Sequence, residues 1–171
     1  MKKSIVLLFM FALFSTQITA QTKEEKKEQK EQKDKKNYEE MKDLVNSKSF
    51  EFTAIWISTY GKRINITSGS NSIEISQDST KAAMQYFGTV TSVNFSGAEG
   101  VKFDNKTIDY NVKFDDHKKK IIVSYSVKNK SETYNIYMSI NKTGFAYVDV
   151  YSNNKNNVTY DGNIAAIKPK E

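Results

Sequence analysis

His117 is the one histidine of this 171-residue chain, in the run Asp115-Asp116-His117-Lys118. An imidazole beside a carboxylate is how a general base is oriented. Such a base needs a nucleophile within hydrogen-bond reach, and no serine or cysteine motif supplies one here. The polar run lies between two apolar alternations, which is the composition of a hairpin tip. Asp104, Asp109, Asp115, Asp116 and Asp161 would be the material for a paired-carboxylate hydrolase, but they fall singly and without a recurring spacing. No phosphate loop, dinucleotide fingerprint or nucleophile elbow is present. With no cysteine, soft metal ligands are nearly absent, so neither a metal site nor a cofactor is expected. Ser68-Gly69-Ser70 and Ser96-Gly97-Ala98-Glu99-Gly100 read as turns rather than ligand cradles. No catalytic residue is assigned, and the chain is expected not to be an enzyme.

The start of the chain sets a compartment. Lys2 and Lys3 precede an apolar run from Ile5 to Phe14, and Ser15-Thr16-Gln17-Ile18-Thr19-Ala20 follows with small residues. That order is a secretory signal peptide, with cleavage expected between Ala20 and Gln21. The apolar run is about half the roughly 20 residues a membrane span needs, and there is no cysteine to carry a lipid. The mature protein is therefore expected to be exported, periplasmic or secreted, with no lipid anchor and no transmembrane span. The net charge of +6 comes from 26 basic and 20 acidic residues, but residues 23–36 alone hold seven lysines against five acids. With Lys2 and Lys3 also set aside, residues 37–171 keep 17 basic against 15 acidic. No basic face of the kind nucleic acid requires remains, so nucleic acid is not expected as a partner.

These residues must be positioned by short elements. Residues 21–36 contain no apolar side chain and read as a charged spacer, with pairs such as Glu31 and Lys35 able to extend a helix. Residues 37–171 form a single β-rich domain. Tyr38, Met41, Leu44 and Val45 recur at helical spacing, which predicts one short N-terminal α-helix. From Ser49 the period becomes two, with Phe50, Phe52, Ala54 and Trp56 on one face. In the C-terminal half the apolar faces are Ile108, Tyr110, Val112, Phe114; Ile121, Val123, Tyr125, Val127; Tyr134, Ile136, Met138, Ile140; and Ala146, Val148, Val150. A slip of one residue would turn every side chain to the wrong face, so loop lengths must agree with the pattern. An even loop over residues 116–119 sets Phe114 opposite Ile121 and Val112 opposite Val123. A two-residue turn at Asn129-Lys130 sets Tyr125 opposite Tyr134 and Val123 opposite Ile136. The loop Lys142-Thr143-Gly144 puts glycine at the left-handed position of a three-residue hairpin, setting Ile140 opposite Ala146 and Met138 opposite Val148. A last strand follows near residues 158–164. The expected fold is all-β, mainly an antiparallel meander closing as a barrel or packing as a two-sheet sandwich, with the one helix.

The pieces Arg63-Ile64-Asn65-Ile66-Thr67-Ser68-Gly69, Asp78-Ser79, Tyr86-Phe87-Gly88 and Gly100-Val101-Lys102-Phe103 occur in that order. Over residues 42–167 the chain resembles DUF4251, a domain-of-unknown-function family of small exported Bacteroidota proteins. Where similar proteins often carry Leu-Pro before Tyr-Phe-Gly, this chain has Met84-Gln85. The resemblance implies the fold and no activity.

Two tyrosine groups carry the functional expectation. Tyr110, Tyr125 and Tyr134, with Tyr160, fall on the inward face, where a row of phenols suits the mouth of a pocket. Ile122, Tyr137, Phe145, Tyr147 and Tyr151 fall on the outward face and form an apolar patch unless the helix covers them; the helix is expected to cover them. The leading expectation is an exported, non-enzymatic binding module that takes a small or partly apolar ligand in a barrel-like pocket. The alternative is an envelope protein-interaction module using the aromatic face, and an uncharacterised hydrolase comes third. A lined interior cavity favours a ligand; a filled core with Tyr137 and Tyr147 exposed favours a partner protein.

Overall fold

The computed structural model describes residues 2–59, 61–90 and 100–167, with side chains from residue 23 onward. The expected cleavage site at Ala20 and Gln21 lies where side chains are outside the described residues, and so does most of the second Ser-Gly cluster, residues 96–99. Two compact units are distinguished, residues 1–36 and residues 37–171. Helix α1 spans Lys2–Asn46, so the helix is longer than the apolar stripe alone predicts. Alternating Lys and Glu have high helix propensity and let the charged run be helical too. Among the described residues no helix is long and apolar enough to cross a membrane.

The second unit is built on strands β1 (Ser49–Thr59), β2 (Lys62–Asn65), β3 (Ser72–Ser76), β4 (Ser79–Met84), β5 (Val101–Asp115), β6 (Lys120–Asn129), β7 (Glu132–Asn141), β8 (Phe145–Ser152) and β9 (Val158–Ala166). Strands β3 to β9 follow one another across the sheet beside β1, and β9 returns to pair with β1. The result is a closed antiparallel barrel of eight strands, not a sandwich. Strand β2 pairs only with the second half of β1, as a short flap beside the ring. The β1–β9 ladder pairs the two ends of the meander with each other, and β2 keeps an unpaired outer edge beside the ring.

Turn parity predicts most of the register. Phe114 faces Ile121 and Val112 faces Val123; Ile140 faces Ala146 and Met138 faces Val148, with Gly144 at φ 82°. The β6–β7 hairpin differs. Its turn is Lys130-Ser131, with Lys130 at φ 56°, so Tyr125 faces Ile136 and Val127 faces Tyr134. Asn129 stays in the strand because its amide is engaged, donating to the Lys102 carbonyl at 2.7 Å. The predicted pairs Tyr125–Tyr134 and Val123–Ile136 are thus corrected by two residues, and a shift of two keeps every side chain on its own face.

Two β-bulges do change faces. In β1 the pairing steps from Ala54–Gly162 to Trp56–Asp161, leaving Ile55 extra. Trp56 therefore turns outward, away from Phe50, Phe52 and Ala54, and Ile57 takes the buried position. Gly162 permits that irregularity, since a Cβ there would lie 2.0 Å from the Thr53 carbonyl oxygen. In β5, Asp109 and Tyr110 together oppose the single residue Tyr125, with Asp109 at φ 55°. Ile108, expected on the core face, is pushed outside and exposed, and Phe114 ends at the exposed rim beside Lys42.

The interior is one apolar cluster, including Phe50, Phe52, Ile73, Ile75, Ile121, Ile136 and Met138. Within this unit, residues 37–46 of α1 lay their stripe against it. Tyr38 and Val45 are buried, Met41 and Leu44 pack on the core, and the Tyr38 hydroxyl donates to the Lys120 carbonyl at 3.5 Å. The stripe stops one end of the barrel. It does not cover the outward aromatic face, because burying it in the core satisfies the hydrophobic demand more completely.

Candidate functional site

The inward tyrosines are core residues. Tyr125, Tyr134 and Tyr160 are buried, and their hydroxyls are taken by the protein. Tyr125 lies 3.4 Å from the Thr80 hydroxyl, Tyr160 donates to the Gln85 carbonyl at 2.8 Å, and Tyr134 donates to Glu132 at 2.7 Å. Burial pushes all three phenols well above their ordinary pKa, with Glu132 adding to the effect at Tyr134. Tyr110 is half-buried and stacks on Tyr125 at 5.9 Å. Burial raises its pKa to about 12, and its hydroxyl has no hydrogen-bond partner among the described residues. The expected pocket mouth is therefore occupied by ring packing and internal hydrogen bonds.

Behind Tyr134 lies a buried polar cluster that the sequence reading does not anticipate. Lys155 donates to both Glu132 oxygens at 2.8 Å and to the Tyr134 hydroxyl at 3.0 Å, and the Ser152 hydroxyl donates to Glu132. Burial by itself would raise the Glu132 carboxyl, but the hydrogen bonds from Lys155, Ser152 and Tyr134 outweigh it and hold the group below its ordinary value. The cluster ties residues 152–157 to the barrel. Lysine in an Asn-rich loop reads as surface, so composition gives no signal for it.

His117 is exposed in the β5–β6 turn. Asp115 there accepts the Lys118 amide at 3.0 Å, and Asp116 pairs with Lys42 at 3.5 Å. Asp104 pairs with Lys81 across β4 and β5 at 3.1 Å, Asp109 sits in the bulge, and Asp161 lies on β9. These carboxylates serve separate local contacts, and no catalytic pair is assembled from them.

The outward face is different in kind. Registers place Lys113, Ile122, Ser139, Tyr147, Asp161 and Trp56 in one row across β5, β6, β7, β8, β9 and β1. The next row runs Asn111, Ser124, Tyr137, Asp149, Thr159, Ser58 and on to Arg63 in β2. Tyr137 and Tyr147 are 50% and 51% exposed, Tyr151 and Ile122 are exposed as well, and Phe145 is half-buried. The rings meet edge to face, Tyr137 with Tyr151 at 5.6 Å and Phe145 with Tyr147 at 5.2 Å, the geometry ring quadrupoles favour. At the far margin the Arg63 guanidinium lies 4.6 Å over Trp56 and pairs with Asp161, whose side chain is only 5% exposed. The β1 bulge hides this trio from any period-two reading.

Two open grooves flank these features. One of about 390 Å³ runs from Tyr151 and Asp149 to the β1–β2 turn. The other, about 560 Å³, lies at the end of β4 beside Tyr86, Phe87 and Lys102. Neither is lined by the inward tyrosines.

A family model described as a domain of unknown function, DUF4251, matches residues 32–164. This chain belongs to the DUF4251 family. Among solved structures it is similar to a DUF4251 family protein from Bacteroides eggerthii, at 19% identity and a TM-score of 0.60, covering 76% of this chain and 87% of that one. That likeness supports the barrel and assigns no activity. No curated protein matches the chain.

Proposed function

We propose that this DUF4251 barrel is an exported, non-enzymatic interaction module whose working surface is the outward face of β6, β7 and β8. The observation that carries the reading is the contrast between exposed Tyr137, Tyr147 and Tyr151 and the buried, hydrogen-bonded Tyr125, Tyr134 and Tyr160. Exposed aromatic side chains that adjoin one another exceed the scattered apolar residues of an ordinary surface. Tyrosine is also among the residues that dominate binding energy at protein interfaces, because a rigid ring gives large contact area at low entropic cost. Ser124, Asn135 and Ser139 lie between the rings on the same face and supply the adaptable hydrogen bonds that such surfaces use. The partner is thus a folded protein of the same compartment. A ligand pocket inside the barrel is the weaker reading, since the rings expected to line it are packed.

The test is position-specific crosslinking in the source cells. A photoreactive phenylalanine at Tyr147 should give one discrete protein adduct that disappears when Tyr137 and Tyr151 are alanine. The same probe at Lys106, on β5, should give none. Equal adducts from both positions, or no adduct from Tyr147, would contradict the proposal.

A further inference from the structure

The groove beside Tyr151 has a chemistry of its own, distinct from the aromatic face it borders. Its floor is crossed by Ser58 and Thr159, its walls are Tyr151 with Asp149 on one side and Lys62 with Arg63 on the other. Its volume of about 390 Å³ is within the ~300–1,000 Å³ range of small-molecule sites. Asp149 uses one carboxylate oxygen to accept the Thr159 hydroxyl at 2.6 Å. Among the described residues its other oxygen has no protein partner. Arg63 is held by Asp161 and by its stacking on Trp56, so its fork is fixed in orientation while its side chain stays 55% exposed. Fixed donors and a fixed acceptor on opposite walls, with an aromatic ring at one end, make a preorganised site.

Charge and polarity narrow the occupant. A phosphate or polyanion would meet the Asp149 carboxylate at close range; Asp161 already neutralises Arg63, and Asp149 offsets Lys62 within the groove, which leaves little net attraction for it. A fatty or purely apolar ligand would leave the second Asp149 oxygen and the Ser58 hydroxyl desolvated without partners, at a cost of about 1–3 kcal/mol for each such group. A neutral ring carrying several hydroxyls satisfies all of them. Vicinal hydroxyls donate to Asp149 and accept from Lys62 and Arg63, while the C–H face of the ring packs on Tyr151. We propose that this groove binds one or two units of a neutral oligosaccharide. The site needs only Tyr151 from the aromatic face, so it stands if the protein partner proposed above does not exist.

The experiment is an amide-resolved NMR titration of the mature protein with cellohexaose, mannohexaose and xylohexaose, and with hexagalacturonate as the anionic arm. At least one neutral hexasaccharide should shift the amides of Gly61, Asp149 and Thr159. Tyr151→Ala and Asp149→Asn should each weaken that binding at least tenfold with the rest of the spectrum unchanged, and Lys81→Ala should leave it as it was. Tyr151→Phe keeps the ring and should retain affinity within threefold, which separates loss of stacking from loss of fold. The proposal is overturned if no neutral saccharide shifts those amides at millimolar concentration. Binding by hexagalacturonate alone, or shifts confined to the groove beside Tyr86 and Phe87, would overturn it equally. Loss of crosslinking at Tyr147 with intact saccharide binding would sink the partner reading alone.

Discussion

The two sides of the β6–β7–β8 ladder use the same residue type for opposite ends. Inside, Tyr125 and Tyr134 are closed off by Thr80, Glu132 and Lys155. Outside, Tyr137, Tyr147 and Tyr151 present rings to solvent and touch mainly one another and Phe145. The difference arises from parity alone, since neighbours on a strand point to opposite faces. What it teaches is that a tyrosine-rich strand set does not by itself mean a pocket; the hydroxyl partners decide. Where they belong to the protein, the residue is structural, and where the ring is bare, it is available for binding.

The contrast breaks most visibly at the buried cluster. Lys155→Met leaves the Glu132 carboxylate buried without its cation and should cost about 3–5 kcal/mol, read as a lowered urea midpoint. Adding Glu132→Leu to that variant should recover most of the loss, because paired removal of a buried ion pair is often nearly neutral. Full stability of Lys155→Met alone would mean that this end of the barrel is wet, and that the inside is less closed than the outside is open.

Alkaline titration sharpens the same comparison. The buried phenols have folded-state pKa values above the ordinary 10.0, Tyr110 at about 12 and Tyr125, Tyr134 and Tyr160 raised as well. The neutral form is the one the fold holds, so their contribution is complete below pH 10 and is lost progressively above it, that of Tyr110 by about pH 12 and those of the other three at higher pH still. Urea midpoints should be flat from pH 8 to 10 and fall steeply above it. Midpoints that stay flat well above pH 10 would show that the inner hydroxyls ionise without unfolding.

The smallest effect belongs outside. Tyr137→Ser with Tyr147→Ser should cost no more than about 0.5–1 kcal/mol while abolishing the crosslinked adduct. A loss comparable to that of Lys155→Met would make the outer rings structural and remove the basis for a docking face.

Much of this was legible in the sequence. Alternation and loop parity place the inner and outer sets on the correct faces, and even the misplaced β6–β7 turn did no harm, because it erred by an even number of residues. Closure as a barrel has no signature in the alternation, since the β1–β9 ladder joins residues about a hundred positions apart and leaves no local trace. The bulges at Ile55 and Asp109 break the period from within, which is why a strict period of two puts Trp56 and Ile108 in the core. The Arg63–Trp56–Asp161 trio is visible only after that break is known. The groove follows from it, because β2 reaches the β8–β9 face only through the hairpin after β1.

Tyrosine nitration of the native protein, read residue by residue by peptide mass spectrometry, puts the inside–outside division to its plainest trial. Tyr137, Tyr147 and Tyr151 should be modified under folding conditions, and Tyr125, Tyr134 and Tyr160 only once urea opens the barrel. Nitration of Tyr134 or Tyr160 in the native state as fast as Tyr147 would mean that the barrel has an accessible mouth, and the outer-face account would fail.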